Sequence, residues 1–185
     1  MRINKFLYFG DFITIPAALA FFVYSAFAAS GLAAALPYFV GLFGGLVVWT
    51  LAEYWIHRIA YHHWPVLSDL HDRHHEAPKE LIGIPSFLSS GIVITLGYGP
   101  FFAFWPRFAD GFVSGALIGY AVYMIAHHAT HHWRIEPGQL LYAARVRHMA
   151  HHYHDEANFG IITGFWDWVF GTTGRRRRRD HFAGA

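Results

Sequence analysis

FITIPAALAFFVYSAFAASGLAAALPYFVGLFGGLVVWTLA, residues 12–52, holds no Asp, Glu, Lys or Arg over 41 positions. A helix needs about 20 apolar residues to cross a bilayer, so this run is long enough for two spans. Ser30-Gly31 with Pro37 supplies a turn between them. A second charge-free run, Leu81 through Pro106, covers 26 residues. The chain of 185 residues is 55% hydrophobic and 14% charged, against about a quarter charged in soluble domains. A soluble core of that size could hardly hide both runs. The sequence therefore predicts an all-α integral membrane protein with spans over 12–29, 33–56, 82–105 and 111–132. The fourth is apolar only for 16 residues, Gly111 to Ala126, so its last turns are expected at the interface. MRINKF and the apolar stretch after it imitate a secretory leader, with Ala26-Phe27-Ala28 at the cleavage position. The stretch is longer than a leader core and a second span follows at once, so it is read as the first span.

The basic residues orient these spans. With the N-terminus in the cytoplasm, 13 of the 14 Lys and Arg lie inside and only Arg107 lies outside, as the positive-inside rule requires. The expected organisation is one membrane domain over 1–174 and a basic tail over 175–185. RRRRR at 175–179 is read as meeting anionic lipid head groups or as a solvated tail that enforces topology, rather than as a nucleic-acid site. Trp64, Trp105, Trp133, Trp166 and Trp168 are read as interfacial anchors and packing residues.

That topology places four histidine groups on the cytoplasmic surface: His57-RIAY-His62, His71-DR-His74-His75, His127-HAT-His131-His132 and His148-MA-His151-His152. Residues three and four apart share a helix face, so each HxxHH triplet falls on one arc and His127 lies one turn from His131. His57 and His62 differ, because five residues leave them about 140° apart on an α-helix. Either the helix ends between them or they serve different metals. Dense neutral imidazoles are costly to bury without a partner, and iron, zinc and copper accept them as ligands. Two ions at about five histidines each would use the set. The absence of cysteine removes thiolate sites, disulfides and iron–sulfur centres. Glu53, Asp72, Glu76 and Asp155 lie where carboxylates could orient rings from behind. Asp167 either orients a ligand histidine or caps a helix. His63, His128, His132 and His154 adjoin better-placed histidines and stand as alternative ligands, while His181 in the tail is read as solvated.

HRIAYH, HDRHHEAP, YMIAHHATHH and HMAHHYH, followed by NFGI (Asn158–Ile161) and WDWVFGT (Trp166–Thr172), resemble the fatty acid hydroxylase superfamily, which includes fatty acid 2-hydroxylases, sterol desaturases and sterol methyl oxidases. The likeness runs from about Glu53 to Thr172, the histidine-box core 53–172. It implies four transmembrane helices beneath a cytosolic helical cap that holds a histidine-rich dimetal site, with iron in the active enzyme. The ligands it implies are His57, His62, His71, His74, His75, His127, His131, His148, His151 and His152. Two departures occur in the third box. His128 stands where relatives often have tyrosine, and Met124 where many have aspartate, which leaves the 127/131 and 128/132 pairs both open.

The implied chemistry is O2-dependent, non-haem di-iron hydroxylation of a fatty acyl chain of a membrane lipid, with zinc able to occupy the same nitrogens in purified protein. No strand–GxGxxG–helix context for a flavin or nicotinamide is present, and the cytochrome b5 domain fused to some relatives finds no room in 185 residues. An external donor of ferredoxin or cytochrome b5 type is therefore expected at the cytoplasmic face. Two alternatives share the histidine boxes: a sterol or carotenoid ring hydroxylase, and a desaturase. A membrane metal transporter or metal store is the alternative of another class. It would favour ionisable residues at mid-membrane, whereas Glu53 is the only acid inside any expected span and the histidines gather at one face.

Overall fold

The computed structural model describes residues 2–174. The arginine run, His181 and the expected tail boundary after 174 lie outside the described residues. All regular structure among those described is helical: α1 (Lys5–Phe9), α2 (Asp11–Ser30), α3 (Ala35–Trp55), α4 (Pro65–Glu76), α5 (Ser86–Phe104), α6 (Pro106–His132), α7 (Tyr142–Tyr153) and α8 (Phe165–Val169). Four helical stretches are long and apolar enough to cross a membrane: Lys5–Ala28, Gly31–Tyr61, Ser86–Phe104 and Pro106–His132. The first reversal falls at the expected place. Gly31 takes a positive φ of 51° and opens a 3-10 turn over Gly31–Ala34, a conformation that favours glycine.

Span boundaries move where local chemistry overrides apolar patterning. The fourth span starts at Pro106, whose missing N–H costs nothing at a first helical position. It thereby takes in Arg107 and Asp110. The expectation that Glu53 is the only acid within a span is corrected accordingly. Asp110 accepts a hydrogen bond from Ser25 Oγ at 3.2 Å. Asp11, buried at the head of α2, accepts one from Ser90 Oγ at 2.7 Å.

α3 and α6 pack backbone against backbone. A Cβ built on Gly45 would lie 2.0 Å from the Phe112 carbonyl oxygen, and one on Gly115 would lie 2.0 Å from that of Leu42. Gly41 and Gly111 are equally closed, by Phe108 and Tyr38. Small residues four apart on two membrane helices permit this approach. Around the seam Trp49, Val113, Leu117 and Tyr120 join Ile15 and Phe22 of α2 in the buried core. Large apolar side chains on the other faces, among them Phe21, Phe39, Phe43, Ile92 and Leu96, point outward, as lipid-facing positions do.

At one end of the bundle α4, α7 and α8 form a cap. The chain start joins this end: Ile3 N–H donates to the Leu81 carbonyl at 2.9 Å, and Arg2 pairs with Glu80. Of the predicted tryptophan anchors, Trp64, Trp105, Trp133 and Trp168 are more than half exposed. Trp166 instead donates its indole N–H to Thr50 Oγ1 at 2.9 Å.

A candidate dimetal centre under the cap

The end of α3 answers the question of His57 and His62. The chain neither stops nor sends the two rings apart. Residues Ile56–Tyr61 widen into a π-helical turn. An i→i+5 turn brings residues five apart close to one full revolution, and the two rings stack with centroids 5.6 Å apart and planes at 23°.

Ten imidazoles converge through their Nε2 atoms into two sets. In the first, His71 Nε2 lies 3.2 Å from that of His57, 3.0 Å from His75 and 3.5 Å from His151, and His62 lies 3.3 Å from His151. In the second, His74 lies 3.0 Å from His127 and 3.1 Å from His131, while His148 lies 2.7 Å from His131 and 3.1 Å from His152. The sets are built by one rule. His71 and His75 (i, i+4) of α4 enter the first and His74 the second. In α7 the assignment reverses, with His148 and His152 in the second set and His151 in the first. Each arc thus straddles both sets, a partition the HxxHH spacing alone does not reveal. His75 and His152 stack at the junction, centroids 4.1 Å apart.

The third box resolves in the same way. His127 and His131 face inward, whereas His128 and His132 stack on each other at 4.1 Å and stand apart from both sets. His128 Nδ1 lies 3.4 Å from the Tyr8 hydroxyl. His63 and His154 are exposed.

These nitrogens fit a cation better than they fit one another. His57 Nδ1 lies 2.6 Å from the Phe159 carbonyl and His151 Nδ1 lies 2.9 Å from that of Ala157. A carbonyl only accepts, so both rings carry hydrogen on Nδ1 and, when neutral, turn a bare lone pair inward from Nε2. Five converging nitrogens cannot all satisfy each other by hydrogen bonding. Nitrogens about 2.0–2.1 Å from a shared ion stand about 2.9 Å apart at right angles and about 3.4 Å apart at the tetrahedral angle, which matches the separations above. Burial, reinforced by neighbouring rings, disfavours protonation: it pushes His74 down to about 4 and His151 and His152 down to about 3, and it lowers His71 and His148 as well. Neutral imidazole is the form that ligates.

The expected carboxylate partners are placed differently. Glu53 Oε1 accepts from the backbone N–H groups of Ile161 at 2.6 Å and Ile162 at 3.1 Å, so it holds a loop rather than a ring. Asp167, fully buried, accepts from Phe159 N–H at 2.8 Å and Gly160 N–H at 2.9 Å. Among the described residues it neither hydrogen-bonds to a histidine nor caps the start of a helix; it holds the loop whose Phe159 carbonyl faces His57. Asp72, Glu76 and Asp155 are exposed, and among the described residues none hydrogen-bonds to a ring. Burial lowers His62 and His75, and the charges of Asp72 and Asp155 partly offset that.

A cavity of about 450 Å³ reaches His57, His71, His74, His127 and His131 along one wall. Phe9, Phe12, Leu67, Leu70, Ile82 and Ile84 supply apolar lining. Tyr61 and Tyr123, which the sequence reading passed over, also face it. Tyr61 stacks on His71 with centroids at 5.4 Å, and Tyr123 lies parallel to His127 at 5.8 Å. The signal for Tyr123 was its position one helical turn before His127. Arg147, noticed only as a charge, donates to the Ile161 carbonyl at 2.9 Å.

The chain is similar to characterised proteins along most of this core. It is 32% identical over 149 residues to fatty acid 2-hydroxylase of Rattus norvegicus, covering 72% of this chain and 40% of that one. It is 34% identical over 145 residues to the ceramide very long chain fatty acid hydroxylase scs7 of Schizosaccharomyces pombe, covering 70% and 41%. The chain thus spans about two fifths of the length of these relatives. A structure of full-length scs7p, in which only the hydroxylase domain is visible, superposes with a TM-score of 0.73 at 27% identity, over 93% of this chain and 70% of that one. The fatty acid hydroxylase family model matches residues 42–172, from the α3–α6 glycine seam through every histidine box, and the chain belongs to that family.

Proposed function

We propose that this membrane protein is an O2-dependent oxidoreductase that hydroxylates a fatty acyl chain of a membrane lipid. The observation that carries the reading is the meeting of two four-histidine groups, each joined by one further ring at 3.0 Å, beside a largely apolar cavity. His57, His62, His71, His75 and His151 would hold one ion, and His74, His127, His131, His148 and His152 the other. Two reduced iron ions held there would supply the O2 binding and C–H cleavage that protein side chains cannot perform. The chain contributes the rest. Phe9, Phe12 and the leucines of α4 give an acyl chain an apolar bed and keep bulk water from it. Tyr61 and Tyr123 cover the inner rings from the cavity side and limit how close a methylene can approach.

The distribution of Lys and Arg supports placing the histidine end, both termini and the cap in the cytoplasm, within a single unit over 1–174. Electrons would arrive there from a donor outside the described residues, a ferredoxin or cytochrome b5 type carrier. The names of the relatives, which specify fatty acid and ceramide hydroxylases, support an acyl substrate over a sterol or carotenoid ring. Lipid analysis of cells expressing the chain with a reductase system tests this. Acyl chains heavier by one oxygen, labelled when 18O2 is supplied, are expected. Metal-loaded protein that consumes no O2 and moves metal across vesicles would overturn the proposal in favour of transport.

A further inference from the structure

Five nitrogens per set suggest two equal sites, but the supports behind them differ. His57 and His151, both of the first set, have their outward Nδ1–H groups held by the carbonyls of Phe159 and Ala157. In the second set His148 Nδ1 is buried without a partner, and among the described residues no Nδ1 hydrogen bond is found for its other four rings.

The Phe159 carbonyl is itself fixed. It shares a planar peptide unit with Gly160 N–H, which Asp167 Oδ2 accepts at 2.9 Å. The order is carboxylate, peptide, imidazole, with the peptide clamped on one edge and the ring on the other. Glu53 and Arg147 grip the next two residues from both sides, through the N–H groups and carbonyls of Ile161 and Ile162. Gly160 allows this closeness, because a Cβ there would lie 2.1 Å from the Thr163 carbonyl oxygen. An outward acceptor fixes a ring's tautomer and rotation and raises the basicity of the nitrogen that ligates. A ring without one must settle both when the ion binds, and a buried Nδ1–H without an acceptor adds a desolvation cost.

We infer that the two metal positions are inequivalent: the first set binds its ion first and more tightly, and Asp167 acts as a positioning residue for that ion alone. The inference rests on the dimetal reading above.

Chelator titration of the anaerobically purified, metal-loaded full chain tests it, with metal per protein measured after desalting. Loss in two steps, separated by about tenfold or more in chelator, is expected for the wild type. His152→Ala should abolish the looser step and leave the tighter one in place. Asp167→Ala should weaken the tighter ion about 10- to 100-fold without moving the looser step, and Asp167→Asn, which keeps one acceptor oxygen, should recover part of that loss. Simultaneous loss of both ions from the wild type would overturn the inequivalence. So would loss of the tighter step in His152→Ala, or an unmoved tighter step in Asp167→Ala that elutes and gives a helical spectrum like the wild type. If Asp167→Ala does not fold, the wild-type and His152→Ala titrations decide. Protein that binds no ion under any condition would overturn the dimetal reading beneath.

Discussion

His151 and His152 are neighbours in sequence, yet they serve different sets, because adjacent helical residues point about 100° apart. Replacing both with alanine removes one nitrogen from each set, and loss of both ions in metal analysis is the expected result. Retention of two would contradict the partition. The same rings set the pH response. Burial holds His74 at about 4 and His151 and His152 at about 3, below the ordinary value of about 6.5. The folded state therefore binds fewer protons than the unfolded chain below about pH 6.5, and stability and metal retention both fall as pH drops from there toward 3–4. Dialysis across pH 7.5 to 4 followed by metal analysis should give a monotonic loss. At this scale the sequence disclosed which residue type matters; the ten inward candidates were implied by the family resemblance, which left the 127/131 and 128/132 pairs both open. It did not disclose what stands behind the rings. Phe159 and Ala157 act through backbone carbonyls, which carry no side-chain signal, and Asp167 acts through a peptide.

The π-helical turn over Ile56–Tyr61 turns a five-residue spacing into a shared face. Deleting Ile59 would put the two rings four apart on an ordinary α turn, still on one face, so retention of both ions in metal analysis is the expected result. The α3–α6 seam makes a sharper structural demand. Gly45→Leu is expected to lower thermal stability strongly, because the carbonyl it meets belongs to a helix backbone that cannot yield; overpacking of this kind costs about 1–3 kcal/mol or more. Gly44→Ala, whose Cβ would meet only Phe112 Cδ2 at 3.9 Å, should be tolerated and serves as the control in the same melting experiment. Four spans were legible because charge-free length is a one-dimensional property. The π turn was not, since a single residue's change of register leaves no compositional mark. Gly41, Gly45, Gly111 and Gly115 carry a small-residue spacing that is readable in the sequence.

Across the whole molecule the four histidine groups and the start of the chain lie at one end, with α4 lining a cavity between cap and bundle. Because the sequence has no cysteine, introduced thiols label cleanly. Glu156→Cys at the cap and Leu32→Cys at the opposite end should react with an impermeant reagent from opposite sides of the membrane, with Leu32→Cys reached from outside the cell. The reverse pattern would invert the topology while leaving the centre intact. The central claim, that ten imidazoles hold two ions that oxygenate an acyl chain, is met most directly by metal-to-protein stoichiometry in a preparation assayed for acyl hydroxylation. Two ions per chain in active protein are predicted; full hydroxylase activity with one ion or none would contradict the account.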